Sequence, residues 1–536
     1  MKVFTKWLYC SQVIAMCLFG LALSGCIPPP SVPRGIFPKE RPLVPEPNAA
    51  AVQVPAGYKA EVFMKDLIYP TSVEFDERGN MYIAEAGFAY GDLFAPARIL
   101  RVSGAGEITR YAEGFMGPIT DILWHQGRLY VSHLGKISTV DASGTVTDIV
   151  TDLPSSGDHQ NNQMTIGPDG KIYFGQGAAT NAGIVGLDNA YPFVWLMLWP
   201  DVHDVPPKDI ELEGETFLTP QPNNVLARQG RLLSWWSNFT YAVASLFARD
   251  KEASMLVRTG AFQQFGESGA DRIKGQVKGN SAILRMNPDG SGLEVYAWGI
   301  RNPFGVMWSP DGQLFVTNNG YDERGSRPIA NAKDDILLIR QNGWYGFPDF
   351  VNGLPVTDPQ FRSVRGPSPD FLLENHPPLE QPWLTRPKHA GVTKLDFSPN
   401  SLFGAAGQMY VAEVGSEAPI TGEDTTKAGY IVVRIDPATK RAETFFANRE
   451  PGPEGLEYVT TRGPRHPVEV KFSPDGNALY VTDIGVIHGG LAGPGPFPMP
   501  IPGSGVIWRI TREGTSATPP ANLSPQPPRS TPAAGR

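Results

Sequence analysis

One short pattern recurs along residues 58–512 and constrains the fold more than any other feature. An apolar strand meets a tight turn of the Pro-Asp-Gly kind, a second strand ends in an apolar or aromatic pair, and a third strand of the Ile-Leu-Arg-Val type follows a loop. The turn chemistry suits its place: Pro fixes φ, Asp caps the backbone and Gly accepts positive φ. Second and third strands pair as Met81–Glu85 with Arg98–Val102, Arg128–His133 with Lys136–Val140, and Lys171–Gly175 with Ala282–Met286. They continue as Gln313–Asn318 with Asp335–Arg340, Gln408–Val414 with Tyr430–Ile435, and Ala478–Ile484 with Gly505–Ile510. Most third strands run on through a turn into a fourth, and no long helical periodicity interrupts them. The pattern predicts an all-β chain, a six-bladed β-propeller of four-stranded antiparallel blades. The last unit lacks a fourth strand, and Tyr58–Leu67 is left over before the first. That N-terminal strand is expected to complete the last blade and close the ring, removing two exposed sheet edges.

The flanks differ in chemistry. Lys2 and Lys6 precede the apolar run Val13–Leu23, followed by Leu23-Ser24-Gly25-Cys26. That run is a signal-peptide core, since a span needs about 20 apolar residues. Residues 26–55 are Pro-rich and read as a stiff spacer, and 515–536 as a disordered Pro-rich tail. The domains expected are therefore a signal peptide over 1–25, a linker over 26–55, the propeller over 56–514 and the tail. The 3 cysteines, Cys10, Cys17 and Cys26, all precede the propeller, which excludes a disulfide scaffold, a thiolate zinc site or a cysteine nucleophile there. A formal net charge of −8 leaves no basic excess to neutralise phosphates, so a nucleic-acid partner is not expected. No Gly-x-Gly-x-x-Gly opens a helix after a strand, which disfavours a nicotinamide enzyme.

Connectivity assigns faces. The Pro-Asp-Gly turns all lie at the bottom, so the loops leading into each first strand lie at the top, as do those joining strands two and three. Asp158 and His159 precede the first strand of blade 3, Arg301 and Asn302 that of blade 4, His389 that of blade 5, and Arg465 and His466 that of blade 6. Lys427 and the loop Asn318-Asn319-Gly320-Tyr321 fall on the same face. Several cations around one mouth call for a multiply anionic ligand. Residues 178–280, between strands two and three of blade 3, form a long top-face insertion with aromatic content (Trp195, Trp199, Trp235, Trp236) and a short amphipathic helix expected near Tyr241–Arg249. It reads as a lid, a substrate wall or a packing cover. His203, Asp204 and Asp209 in its Pro-rich loop are too isolated to read as metal ligands.

At these residues the chain resembles the soluble quinoprotein glucose dehydrogenase and sorbosone dehydrogenase family over roughly residues 58–512. The segment Leu153–Gln160 followed by Gly167–Tyr173 resembles the family's catalytic-histidine stretch, and Gly299-Ile300-Arg301-Asn302-Pro303 its arginine-asparagine motif. Gln341–Pro348 (QNGWYGFP) resembles its Gly-Gly-Asn-Tyr-Gly-Trp-Pro signature, and Lys427-Ala428-Gly429-Tyr430 its lysine turn. The resemblance implies pyrroloquinoline quinone (PQQ) on the top face. Arg301, Asn302, Lys427 and Arg465 would contact the cofactor, the Gly320 and Tyr321 carbonyls would bind Ca²⁺, and His159 would be the base toward a sugar-like substrate. The electron acceptor is not implied.

The chain departs from the family in several places. Gly177-Ala178-Ala179 carries no acid where the family often has a carboxylate near its histidine, leaving Asp158 as the substitute at hand. Phe304 stands where the soluble glucose enzyme has glutamine. Arg465-His466 reduces an arginine pair, and Arg324–Ala332 looks inserted. The small residues before Cys26 resemble a lipobox, implying export as a bacterial lipoprotein held to the membrane by a lipid on Cys26 alone. The competing function classes are a metal-dependent lactonase-type hydrolase and a non-catalytic binding propeller.

Overall fold

A computed structural model describes residues 44–87, 96–189, 195–220, 256–364, 367–415, 428–450, 461–489 and 498–514. Cys26, Lys427, the stretch Tyr241–Arg249 and the C-terminal tail lie outside the described residues. Within them six antiparallel sheets of the repeated kind form a propeller. Blade 1 runs Pro70–Phe75, Met81–Glu85, Arg98–Val102, Ile108–Glu113, and the next four follow the same outward order. In blade 6, Tyr58–Leu67 pairs with Gly505–Arg512, so that the two ends of the repeat region share one sheet.

Burial of the strands explains the ring. Each junction between neighbouring blades holds its own apolar cluster. Tyr82, Ile99, Ile122 and Leu129 meet between blades 1 and 2, and Phe403, Tyr410, Val470 and Trp508 between blades 5 and 6. Met64, Ile507, Val73 and Ile83 pack together between blades 6 and 1, beside the shared sheet. A separate cluster sits over blades 3 and 4. There Ala182, Ile184, Leu212 and Phe262 of the insertion pack on Tyr321, Ile329, Trp344 and Phe347. The described part of the insertion thus has the composition of a packed cover, with Trp195–Leu198 its one short α-helix.

Two boundaries differ from the sequence reading. Secondary structure occurs inside the stretch 26–55 that reads as a spacer. Asn48 caps a 3-10 turn at Ala49–Ala51, and Val52–Gln53 adds a fifth strand to the outer edge of blade 5. This proline-free Ala-Ala-Ala-Val-Gln stretch can donate N–H groups to an edge that would otherwise be open. In blade 5 the third strand begins at Ile431, because Tyr430 has φ 61°, incompatible with an extended start.

The propeller axis is closed by charge. Lys394 Nζ, from the first strand of blade 5, donates to Asp121 Oδ1 of blade 2 at 2.7 Å, Glu469 Oε1 of blade 6 at 3.0 Å and the Thr71 carbonyl of blade 1 at 2.9 Å. Ser72 donates to Glu469, whose other oxygen accepts the Val73 N–H, while Asp121 Oδ2 accepts the N–H of Met164 in blade 3. All of these side chains are buried. Burial pushes the Glu469 carboxyl up, and the Lys394 ammonium pulls against it. Lys394→Met removes the cation but leaves both carboxylates inside. It should cost about 3–5 kcal/mol, because breaking a buried pair strands an uncompensated charge. Urea denaturation followed by tryptophan fluorescence measures the loss.

Candidate active site at the blade 3–4 rim

His159 sits where three backbone segments are tied together. The Asp158 N–H donates to the Ala179 carbonyl, the Gly177 N–H to the Gln160 carbonyl, and the Ala178 N–H to the Arg301 carbonyl at 2.7 Å. Gly177 is required by close approach, since a Cβ there would stand 2.4 Å from the His159 Cβ. The imidazole Nδ1 lies 2.7 Å from the Ala178 carbonyl oxygen. A carbonyl only accepts, so Nδ1 carries the proton and Nε2 presents a lone pair. Burial, then the Arg301 charge, pulls the imidazole down to about 3, against the opposing influence of Asp158. The ring is therefore neutral throughout the physiological range, with its tautomer set.

Arg301 lies beside it, almost fully buried, with every N–H occupied by protein oxygen. Nε donates to the Asn181 carbonyl and Nη2 to Asn181 Oδ1, both at 2.8 Å, and Nη2 also to Asp322. Nη1 donates to the Gly320 carbonyl at 2.7 Å and the Asn319 carbonyl at 3.4 Å. Tyr321 packs under the guanidinium at 5.6 Å and is itself stacked on Phe347. The Gln341–Pro348 motif thus supports Arg301 from behind: the Phe347 N–H donates to the Gly299 carbonyl. Gly299, at φ 75°, has no room for a Cβ against Trp344. Asn302 joins an amide chain across the rim. Its Nδ2 donates to Asn319 Oδ1 at 2.8 Å, and its Oδ1 accepts from Asn162 at 3.1 Å.

Arg324, which the sequence placed only in an apparent insertion, organises the acids. It bridges Asp158 at 2.7 Å, Asp188 at 2.5 Å and Asp322 at 3.1 Å. Asp158 also accepts from Asn189 and from the Trp195 indole, so both its oxygens are occupied away from the histidine. It is not the ring's hydrogen-bond partner: its direction, open in the sequence, is toward Arg324, Asn189 and Trp195. Burial raises Asp188 to about 6 in spite of Arg324. For Asp322 burial also acts upward, but Arg324, Arg301 and His389 outweigh it and hold the acid at about 2.

The remaining expected site residues divide. Gly320 and Tyr321 belong to this rim through the Arg301 contacts. Arg465 does not touch it: the side chain is fully buried and its Nη2 donates to the Thr461 carbonyl at 2.6 Å and the Pro45 carbonyl at 3.3 Å. His466 is fixed through Nδ1 to the Gly485 carbonyl at 2.6 Å. Asp209 pairs with Arg272 at the surface, whereas Asp204 turns inward. Asn181, Asp204, Asp322 and Arg324 were missed as site residues, because their partners lie in other segments and no motif ties them together.

No protein-family model matches the chain. A stretch of 204 residues, 38% of the chain, is 24% identical to quinoprotein glucose dehydrogenase B of Acinetobacter calcoaceticus. The likeness is to quinoprotein sugar dehydrogenases. The chain spans about 28% of the length of that curated relative. Among solved structures, the holo pyranose dehydrogenase PQQ domain of Coprinopsis cinerea matches with TM-score 0.50 at 15% identity, covering 88% of this chain and 99% of that one. The PQQ-bound aldose sugar dehydrogenase of Streptomyces coelicolor gives 0.44 at 15% identity, covering 86% and 100%. At 15% identity the Coprinopsis cinerea likeness speaks to the fold alone.

The charge cluster makes a pH prediction. Asp322 has its folded value depressed from 3.8 to about 2, so its stabilisation is present above the unfolded value and is lost as pH falls through the folded one. The wild-type melting temperature should drop more steeply between about pH 4 and 2 than that of Asp322→Asn. Differential scanning calorimetry across that window measures the difference.

Proposed function

We propose that the chain is an exported PQQ-dependent dehydrogenase oxidising a sugar or a sugar-derived aldehyde or polyol. One observation carries this reading: a neutral imidazole, locked at Nδ1 and open at Nε2, stands on one rim with Arg301, Asn302 and the Gly320 carbonyl. The motifs around these residues, and relatives whose names specify a quinone and a sugar, support it. The residues suit the cofactor chemically. Backbone carbonyl oxygens are the donor type that suits Ca²⁺, and the Gly320 oxygen would have to exchange its hydrogen bond from Arg301 Nη1 for the ion. Gly320 and Tyr321 would hold the ion through their carbonyls. Arg301, its N–H groups already paired, would act on cofactor carboxylates through its charge alone, with Asn302 beside it and Lys427 beyond the described residues.

PQQ, when bound, supplies the acceptor for the hydride leaving the substrate carbon. The chain's own part is proton handling. His159 takes the substrate hydroxyl proton at Nε2, and the Nδ1 hydrogen bond to Ala178 keeps the ring oriented while the imidazolium forms. The insertion cluster over blades 3 and 4 supplies an apolar wall near this rim.

One observation favours a second reading, a binding propeller without turnover: Arg301 has no N–H left for a cofactor carboxylate. The lactonase class gains no support, because no group of three or more His, Cys, Asp or Glu gathers as a metal site among the described residues.

The protein loaded with PQQ and Ca²⁺ should reduce an artificial dye with aldoses. His159→Ala should lose about 10²–10⁴-fold in kcat while still quenching tryptophan fluorescence on PQQ addition. Quenching without turnover in the wild type would favour the binding propeller, and lactone hydrolysis without either would favour the hydrolase. No helix among the described residues is long and apolar enough to cross a membrane. On the lipid-anchor reading, Cys26→Ser should move the expressed protein from the membrane pellet to the soluble fraction on ultracentrifugation.

A further inference from the structure

The Ala178 carbonyl that fixes His159 belongs to a peptide group whose other end is also engaged. The Ala179 N–H of that same peptide donates to Asp204 Oδ1 at 2.6 Å. Asp204 lies in the insertion, is 1% exposed, and takes a second hydrogen bond on Oδ2 from the Thr180 hydroxyl. Its position is set by the neck of the insertion. The Val205 N–H donates to Asn280 Oδ1 at 2.9 Å and the Asn280 N–H to the Val205 carbonyl at 2.6 Å, while Asn280 Nδ2 donates to the Gly177 carbonyl at 2.7 Å.

We propose that Asp204 is the positioning residue for His159, acting through the Ala178–Ala179 peptide in place of a carboxylate on the ring itself. The inference rests on the reading of His159 as the base. Its physical content is polarisation along a hydrogen-bonded chain. A peptide that donates its N–H to a carboxylate carries more negative charge on its oxygen, and hydrogen bonds in series strengthen one another. The Ala178 oxygen therefore accepts more strongly from Nδ1, holds the Nδ1–H tautomer and stabilises the imidazolium when Nε2 receives a proton. Among the described residues no acid bonds the ring directly, since Asp158 is held by Arg324, Asn189 and Trp195.

The groups facing the chain have definite signs. Arg301 and Arg324 disfavour the imidazolium and Asp158 favours it. Asp204 faces Asp158, His203, the Thr180 hydroxyl and the Ala179 N–H, and burial raises it to about 6. Ionisation of Asp204 switches the polarisation on, so the acidic limb of kcat/KM should lie near pH 6 and belong to the aspartate rather than to the histidine.

The test uses the full chain, first without cofactor. In protein labelled with ¹⁵N-histidine, the His159 Nδ1–H proton is assigned by its disappearance in His159→Gln. Asp204→Asn keeps shape and an acceptor but removes the charge, and should move that resonance upfield. Thr180→Val removes a hydrogen bond that favours the ionised acid, so read at about pH 8–9, where Asp204 stays charged with one partner fewer, it should move the resonance downfield. An unmoved resonance in either folded variant overturns the proposal. In the loaded enzyme Asp204→Asn should lower kcat/KM about tenfold and abolish the limb near pH 6, in line with the usual cost of losing a group that orients a functional histidine. A retained limb overturns the proposal even if the rate falls, because a purely structural anchor would lower the rate without changing the profile. If the wild type oxidises no sugar, the functional reading fails and the resonance shifts alone decide the role of Asp204.

Discussion

A buried ammonium on the axis is the constraint from which the rest of the structure follows. A ring of six blades brings its first strands together at the centre, where the side chains of opposite blades must share one narrow space. Lys394 answers that geometry by reaching Asp121, Glu469 and the Thr71 carbonyl at once, so that blades 1, 2, 5 and 6 converge on one cation. Such a centre gives no large net gain over an apolar plug, but it is intolerant of partial removal. What it offers in return is register, because a one-residue slip in any contributing strand would turn its charged side chain away from the axis. The apolar junctions between blades are interchangeable in kind, whereas the axial charges are not.

The same economy of charge recurs at the rim. Arg301 looks in sequence like a cation awaiting an anionic ligand, and Arg324 like part of an insertion. In the fold they are enclosed by Asp322, Asp158, Asp188 and backbone carbonyls. Their positive charge nevertheless acts on its surroundings. It holds Asp322 ionised despite burial, and it helps to keep His159 neutral. A neutral ring with one nitrogen tied to a carbonyl presents a lone pair at the other, and the enclosing residues keep it from turning. The rim is thus organised around a preset tautomer rather than an open patch of cations.

Much of this was legible in the chain. The strand pattern fixed the blades almost to the residue, since alternation and Pro-Asp-Gly turns act locally and repeat. The co-location of His159, Arg301, Asn302 and Gly320 also followed, because connectivity alone puts their loops on one face. Other features were less accessible. Arg465 sits in an equivalent lead-in yet turns toward Thr461 and Pro45, a direction that depends on the N-terminal segment lying along blade 5. Asp158 adjoins the histidine in sequence but faces Arg324, and Asp204 adjoins nothing recognisable but reaches the histidine through a peptide.

The sequence by itself therefore determined the blade count, the face on which the polar loops gather, and the residue types available there, because short-range periodicity and chain direction suffice for all three. Only the tertiary structure decided which of those side chains meet one another at the rim and which turn elsewhere. Hydrogen-bond partners as distant in sequence as Arg324 and Asp158, or Arg465 and Pro45, are selected by packing, and a buried donor or acceptor takes whatever oxygen or nitrogen the fold brings within about 3 Å.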